Sequence, residues 1–340
     1  MTFGRRLLVL LVAASLLLGA GVRTVLRAGD PARGGDRAGD GPPARAGAVT
    51  LGPHGNEPLL VFRSLTWGSR RDHLAAVPLA DPTATRTVAV PACLRFHAAA
   101  GTGICLQAVH GVLQDTYRAV VLDADLNERR HYDLAGIPTR ARVSPSGHLV
   151  AWTVFVGGDS YAGTDFSTRT SILDSRTWTP QDDLESYAVT LDGHPHRAAD
   201  TNVWGVTFAD DEHFYATLAT GGHTWLVAGD AVARTLTTVH GNVECPSLSP
   251  DGSRVAYKKR VRGLPDDAPW RLYVLDLATM TETATAEQRT VDDQALWLDD
   301  RTLAYALPGD DGSDLWTVLA DGTGTPALLA AAALAPVVVR

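Results

Sequence analysis

Five groups of residues in this 340-residue chain have the types and spacing that chemistry uses. Gly158-Asp159-Ser160-Tyr161-Ala162 has the serine-centred form of a nucleophile elbow, which serves acyl transfer. His194, His196 and Asp200 bring together imidazole and carboxylate ligands suited to zinc or a similar ion. Asp123-Ala124-Asp125-Leu126-Asn127-Glu128 opens with the alternating oxygens of a calcium loop. Cys93, Cys105 and Cys245 are the three thiols, and Glu244, Asp293 and Asp159 are carboxylates able to act as acid or base.

Each group must be set in an element, and the elements argue for a plainer reading. An elbow needs a strand before its serine and a helix after it, whereas a second strand follows Ser160 and no hydrolase domain has room. The calcium pattern fails at its sixth position, Glu128 in place of glycine, and no acid stands at its twelfth, so a strand-to-strand turn is expected. His-Pro-His lies in a long polar stretch, where solvated surface is the ordinary explanation. Without a Cys-x-x-Cys, three scattered cysteines make no structural zinc site. No metal, no cofactor and no catalytic residue are therefore assigned.

Composition narrows the partners. A net charge of -8 opposes nucleic-acid binding, which needs a field of Lys and Arg to displace phosphate counterions. Only Lys258 and Lys259 are lysines among 30 basic residues, a bias expected of a GC-rich bacterial genome. At the N-terminus Arg5 and Arg6 precede an apolar run, Leu7 to Val22, which reads as an export signal or membrane anchor over residues 1–26. Sixteen residues are short for a spanning helix and no clean cleavage site follows, so a cleaved signal and a retained tether through residues 7–22 both stay open. Residues 27–48 are Gly, Ala, Pro, Arg and Asp with few large apolar groups, the composition of a flexible linker.

The remainder, 49–340, repeats. Six short strand cores, Leu60-Val61-Phe62, Ile104-Cys105-Leu106, Val150-Ala151-Trp152, Phe214-Tyr215-Ala216, Val255-Ala256-Tyr257 and Leu303-Ala304-Tyr305, are mostly about 40 to 50 residues apart, a propeller-like spacing. Tight turns precede several of them, as in Ser249-Pro250-Asp251-Gly252, where Pro presets φ and Gly accepts positive φ. A second hairpin follows each, giving four antiparallel strands per repeat. Blades are expected near 49–90, 91–135, 139–190, 201–240, 243–288 and 292–335. The first lacks an innermost strand, which either Ala48 to Leu51 or Pro336 to Val339 can supply.

Ser249 to Tyr257, Ser-Pro-Asp-Gly-x-x-Val-Ala-Tyr, resembles the repeat of TolB-like propellers, also described as WD40-like or PD40 repeats, and Ser144 to Trp152 follows it with Ser146 in place of Asp. The resemblance implies an all-β, six-bladed β-propeller of four-stranded antiparallel blades, preceded by the signal or anchor helix and the linker. It implies a bacterial exported protein, extracellular or anchored on the outer side of the cytoplasmic membrane. TolB also carries an N-terminal α/β domain that this chain does not show, so its envelope role is not carried over.

Strand alternation puts the tight turns on one face and the longer loops, Gly157 to Arg169, Glu185 to Asn202, Lys258 to Trp270 and Pro308 to Asp314, on the other, where binding residues concentrate. Arg140, Asn202, Glu244, Asp293 and Gln294, read as preceding inner strands, are expected to line a polar channel mouth, with Asp159, Asp165, Arg169 and Lys258 at the rim. Mutual pairing across blades is the structural alternative. Trp204, Trp297, Trp152, Tyr257, Trp270 and Trp316 recur at equivalent places and are expected to pack blade against blade. Cys93 and Cys105 flank the first hairpin of the second blade and can pair as a disulfide in an oxidising compartment, leaving Cys245 free. A monomeric scaffold that binds an unknown protein, peptide or small polar ligand is the function expected; a hydrolase or lyase with carboxylates at the channel mouth is the alternative.

Overall fold

The computed structural model describes residues 41–112, 114–158, 161, 166–181 and 183–340. The expected signal or anchor helix, most of the linker, and Asp159, Ser160 and Asp165 lie outside the described residues. The described residues of 42–66 and 70–340 form one compact unit built from six mainly antiparallel sheets.

Repeats two, three, five and six each fold as a four-stranded meander. The fifth shows the local logic. Ser249-Pro250-Asp251-Gly252 turns the chain between Glu244–Leu248 and Arg254–Arg260, with Gly252 at φ 72°, where a side chain is strained. Asp251 fixes the turn by accepting from the Ser249 and Ser253 hydroxyls and the Ser253 amide, and these bonds lower its carboxyl to about 2. Within Arg254–Arg260 the β-branched and aromatic positions Val255 and Tyr257 are buried, and Trp270–Asp276 pairs along its length.

Blade one is closed by the far end of the chain. Ala333–Val339 pairs antiparallel with Leu59–Ser64 and becomes its innermost strand. Ala48 to Leu51, the other candidate, instead runs along blade two, where the Leu51 amide and the Thr50 hydroxyl both donate to the Ala124 carbonyl. Within the stretch read as linker, Ala44–Ala46 forms a short strand parallel to Arg86–Ala92 on the outer edge of blade one.

Blade four is enlarged in the same way. The segment read as a long open loop, Glu185 to Asn202, folds into a 3-10 turn at Leu184–Ser186 and a hairpin, Ala188–Leu191 with His194–His196, whose first strand pairs parallel with Thr235–Gly241. Hydrophobic clusters lie between neighbouring sheets; one joins Leu149, Ile172 and Leu184 to Val203, Phe214 and Leu236. Trp152, Trp204, Tyr257, Trp270 and Trp297 are buried at such contacts, while Trp316 is half-buried with the Arg289 guanidinium 3.9 Å above its ring.

Candidate functional site

Inner strands begin on the loop-bearing face, and there the polar residues gather. Asn202 and Glu244 are the first residues of their strands, and Asp293 and Gln294 stand just before Leu296–Trp297. Arg140 differs from expectation: it lies inside Ile137–Val143, and the strand alternation that points it at the channel points Arg142 there too.

Two ionic clusters result. In the first, Arg95 meets Asp293 at 2.8 Å and Arg140 meets it at 3.7 Å. Burial alone would raise the Asp293 carboxyl, but these two cations hold it below the usual carboxylate range. Gln294 Nε2 crosses the channel to the carbonyls of Gly205, Val206 and Pro246. In the second cluster the fully buried Glu244 accepts from Arg260 Nε at 2.7 Å and Trp270 Nε1 at 3.0 Å. Lys258, 0% exposed, sits 3.8 Å from Glu244, 2.5 Å from Asp292 and 3.7 Å from the centre of the Trp270 ring. A buried ammonium is tolerated only with such compensation.

Beside this second cluster, between blades three, four and five, opens a cavity of about 450 Å³ lined by Tyr161, Phe166, Asn202, Trp204, Glu244 and Arg260. Tyr161 stacks on Trp204 at 4.8 Å between ring centres, and Phe166 meets Trp204 edge-on at 5.4 Å. Two buried polar atoms of these lining residues have no hydrogen-bond partner among the described residues: Trp204 Nε1, a donor, and Glu244 Oε2, an acceptor with the Lys258 ammonium 3.8 Å away. Buried polar atoms are ordinarily satisfied, so an unbonded donor and an unbonded acceptor in two residues that line one cavity stand out.

The expected site residues therefore divide. Arg140, Asn202, Glu244, Lys258, Asp293 and Gln294 come together around the channel; Arg169 does not, lying on the third strand of blade three beside a cavity formed with Tyr132, Trp152 and Asp183. Tyr161, Arg260 and Trp270 were not picked out as site residues, and Trp204 was read only as packing. Their shared signal was position, since Arg260 and Trp270 flank the loop between the second and third strands of blade five. His194 and His196 lie in the outer hairpin, with His196 bonded to Thr220, and among the described residues no group of metal-ligating side chains forms. Asp123 caps an ordinary turn by accepting from the Asp125 and Asn127 amides. Cys93 and Cys105 are joined as a disulfide with Cα atoms 5.3 Å apart, and Cys245 is a buried free thiol.

Chemically, Glu244 Oε1 and Asp293 are committed to cations and an indole, and Glu244 Oε2 faces the Lys258 ammonium at 3.8 Å, an arrangement that positions groups. The carboxyl that burial pushes up, to about 7, is Glu185, and it is held by the Thr170 and Val203 amides and the Thr168 hydroxyl.

No family model matches the sequence, and no curated protein matches it. Solved structures do. TolB from Acinetobacter baumannii superposes with a TM-score of 0.54 at 15% identity, covering 83% of this chain and 66% of that one. A puromycin-hydrolysing peptidase of Mycobacterium tuberculosis gives 0.48 at 13%, covering 83% and 44%, and an oligogalacturonate lyase in complex with manganese gives 0.46 at 11%, covering 73% and 71%. This chain thus spans just under two thirds of the TolB structure, and at these identities the likeness concerns architecture. The fold of this chain is that of the TolB-like six-bladed β-propellers.

Proposed function

We propose that this chain is a non-enzymatic, exported binding propeller that takes a small polar ligand in the cavity between blades three, four and five. One observation carries the reading: an aromatic-walled cavity of about 450 Å³ is lined by Trp204 and Glu244, whose buried donor Nε1 and buried acceptor Oε2 have no hydrogen-bond partner among the described residues. A ligand presenting an acceptor to the indole and a donor to the carboxylate satisfies both, and Arg260 at the rim adds charge selectivity. Export is part of the proposal. It rests on Arg5, Arg6 and the run Leu7 to Val22, and the Cys93–Cys105 disulfide accords with an oxidising compartment.

The test is native mass spectrometry of the purified chain after equilibration with sugars, amino acids and short peptides, repeated with Trp204→Phe, which removes the indole N–H and keeps an aromatic ring. A retained compound whose binding falls at least about tenfold in the variant supports the reading. Retention that ignores the substitution, or no retention by the native chain, refutes it. The mass of the mature N-terminus shows separately whether residues 1–26 are removed.

A further inference from the structure

The tight-turn face, which carries no long loops, holds a second cavity of about 320 Å³ at the other mouth of the channel. Arg142 lines it and is only 9% exposed. Its Nε reaches the Val206 carbonyl and its Nη2 the Ser247 hydroxyl, both at 3.4 Å, near the limit of a hydrogen bond. Nη1 makes no hydrogen bond, and among the described residues no carboxylate forms an ion pair with this guanidinium. Arg140, two positions earlier, has Asp293. Burial lowers the Arg142 pKa to about 10, and the more distant charge of Asp293, which makes no ion pair with it, offsets this only in part. An unpaired buried charge is costly, and folded proteins ordinarily answer it with a counter-charge.

The neighbours are arranged as donors. His97 Nδ1 accepts the Val143 amide at 3.1 Å, and burial keeps the ring neutral well below its ordinary pKa, so the ring proton sits on Nε2. Ser247 accepts from Arg142 and Thr207 accepts from the Leu248 amide, leaving both hydroxyl hydrogens to give. No Asp or Glu side chain lines the cavity, and Arg340 at the rim is held by the Leu298 carbonyl. The remaining wall is apolar, with Phe208, Leu248 and Trp297.

We propose that this cavity binds a monocarboxylate with an apolar body, the carboxylate on Arg142 and His97 Nε2–H and the body against Phe208, Leu248 and Trp297. One buried guanidinium beside a neutral imidazole balances a single negative charge; for the second charge of a phosphate dianion the only other cation lining the cavity is Arg340, at the rim and already bonded to the Leu298 carbonyl. Free organic acids and peptide C-termini share this chemistry. The site is independent of the cavity on the loop-bearing face, and neither reading depends on the other.

Calorimetric titration of the full chain with hexanoate, hexanamide, inorganic phosphate, and one apolar tripeptide as free acid and as amide tests the proposal. A carboxylate should bind at least about tenfold more tightly than its own amide, because charge-assisted hydrogen bonds are lost with the charge. Whichever pair shows this, the fatty acid or the peptide, identifies the source. Arg142→Met should abolish the preference without lowering the melting temperature, since it removes a buried charge with no ion-pair partner and only two hydrogen bonds at the limit of length. If that variant fails to fold, the acid–amide comparison on the native chain decides. Equal affinity for acid and amide, tighter binding of phosphate, or no binding at millimolar concentration overturns the proposal.

Discussion

Replacing Glu244 by Gln probes the central ionic cluster most directly. The side chain keeps its length, and its carbonyl oxygen can still accept from Arg260 Nε and Trp270 Nε1, which share Oε1, but it loses the charge that Arg260 and Lys258 face and puts an amide NH2 in place of Oε2 beside the Lys258 ammonium. Breaking a buried ion pair and leaving the cation stranded costs about 3–5 kcal/mol. Neither cation here is wholly stranded, because Lys258 retains Asp292 at 2.5 Å and Arg260 retains the Tyr161 carbonyl at 2.7 Å. The loss therefore falls at the lower end, about 3 kcal/mol. Unfolding entropy of about 2.1 cal/mol/K per residue over roughly 300 residues gives about 0.6 kcal/mol/K, so the melting temperature should drop by about 5 °C. Asp292→Asn is the control: its side chain is 52% exposed, solvent screens its pairing with Lys258, and the drop should stay under about 2 °C. Differential scanning calorimetry of the three proteins measures both. A shift below about 1 °C for Glu244→Gln, or a larger shift for Asp292→Asn, refutes the account of Glu244 as the anchor of the cluster.

Three further outcomes are expected. Burial raises Glu185 from 4.5 to about 7, so the folded state holds its proton more tightly than the unfolded chain; stability should fall as pH rises between those values, and Glu185→Gln should flatten that part of a melting-temperature profile. The disulfide spans a sequence separation of 12, for which loop closure predicts a contribution of about 3 kcal/mol; Cys93→Ala with Cys105→Ala should lower the denaturation free energy by about that amount in guanidinium titration. Gly252→Ala meets no neighbour and should cost about 1–2 kcal/mol from its φ of 72° alone, whereas Gly147→Ala, at φ 80° with the Ala99 carbonyl 3.0 Å from an added Cβ, should cost more by the same titration.

The repeat could be read because its signals are local. Ser-Pro-Asp-Gly fixes a turn, the turn fixes two strands, and their alternation fixes which side chains are buried. Blade one's inner strand depends instead on a contact between distant parts of the chain, and two apolar segments matched its pattern equally well. The outer hairpin of blade four escaped because its strands are short and His194–His196 is polar, with nothing apolar to betray pairing. Around the channel, strand order led to the expectation of Arg140 and Glu244 at the mouth and Lys258 at the rim, but which cation meets which carboxylate depends on blade rotation. Arg142 was legible in principle: two positions from Arg140 on one strand, it must share its face. Tyr161 joined the site through the fold of a loop, which has no period to read.

The pairing of Leu59–Ser64 with Ala333–Val339 also makes the ring a clasped bracelet with a single clasp. Every other sheet is assembled from neighbouring segments, so blades two to six can form in order as the chain emerges; blade one stays open along an apolar edge until its last strand arrives. That edge is the segment to guard during synthesis, and the seam joins segments more than 260 residues apart in the chain. Amide exchange that begins along Ala333–Val339, ahead of Ala228 or Leu275 in the middle blades, is the signature such a clasp leaves in the mature protein.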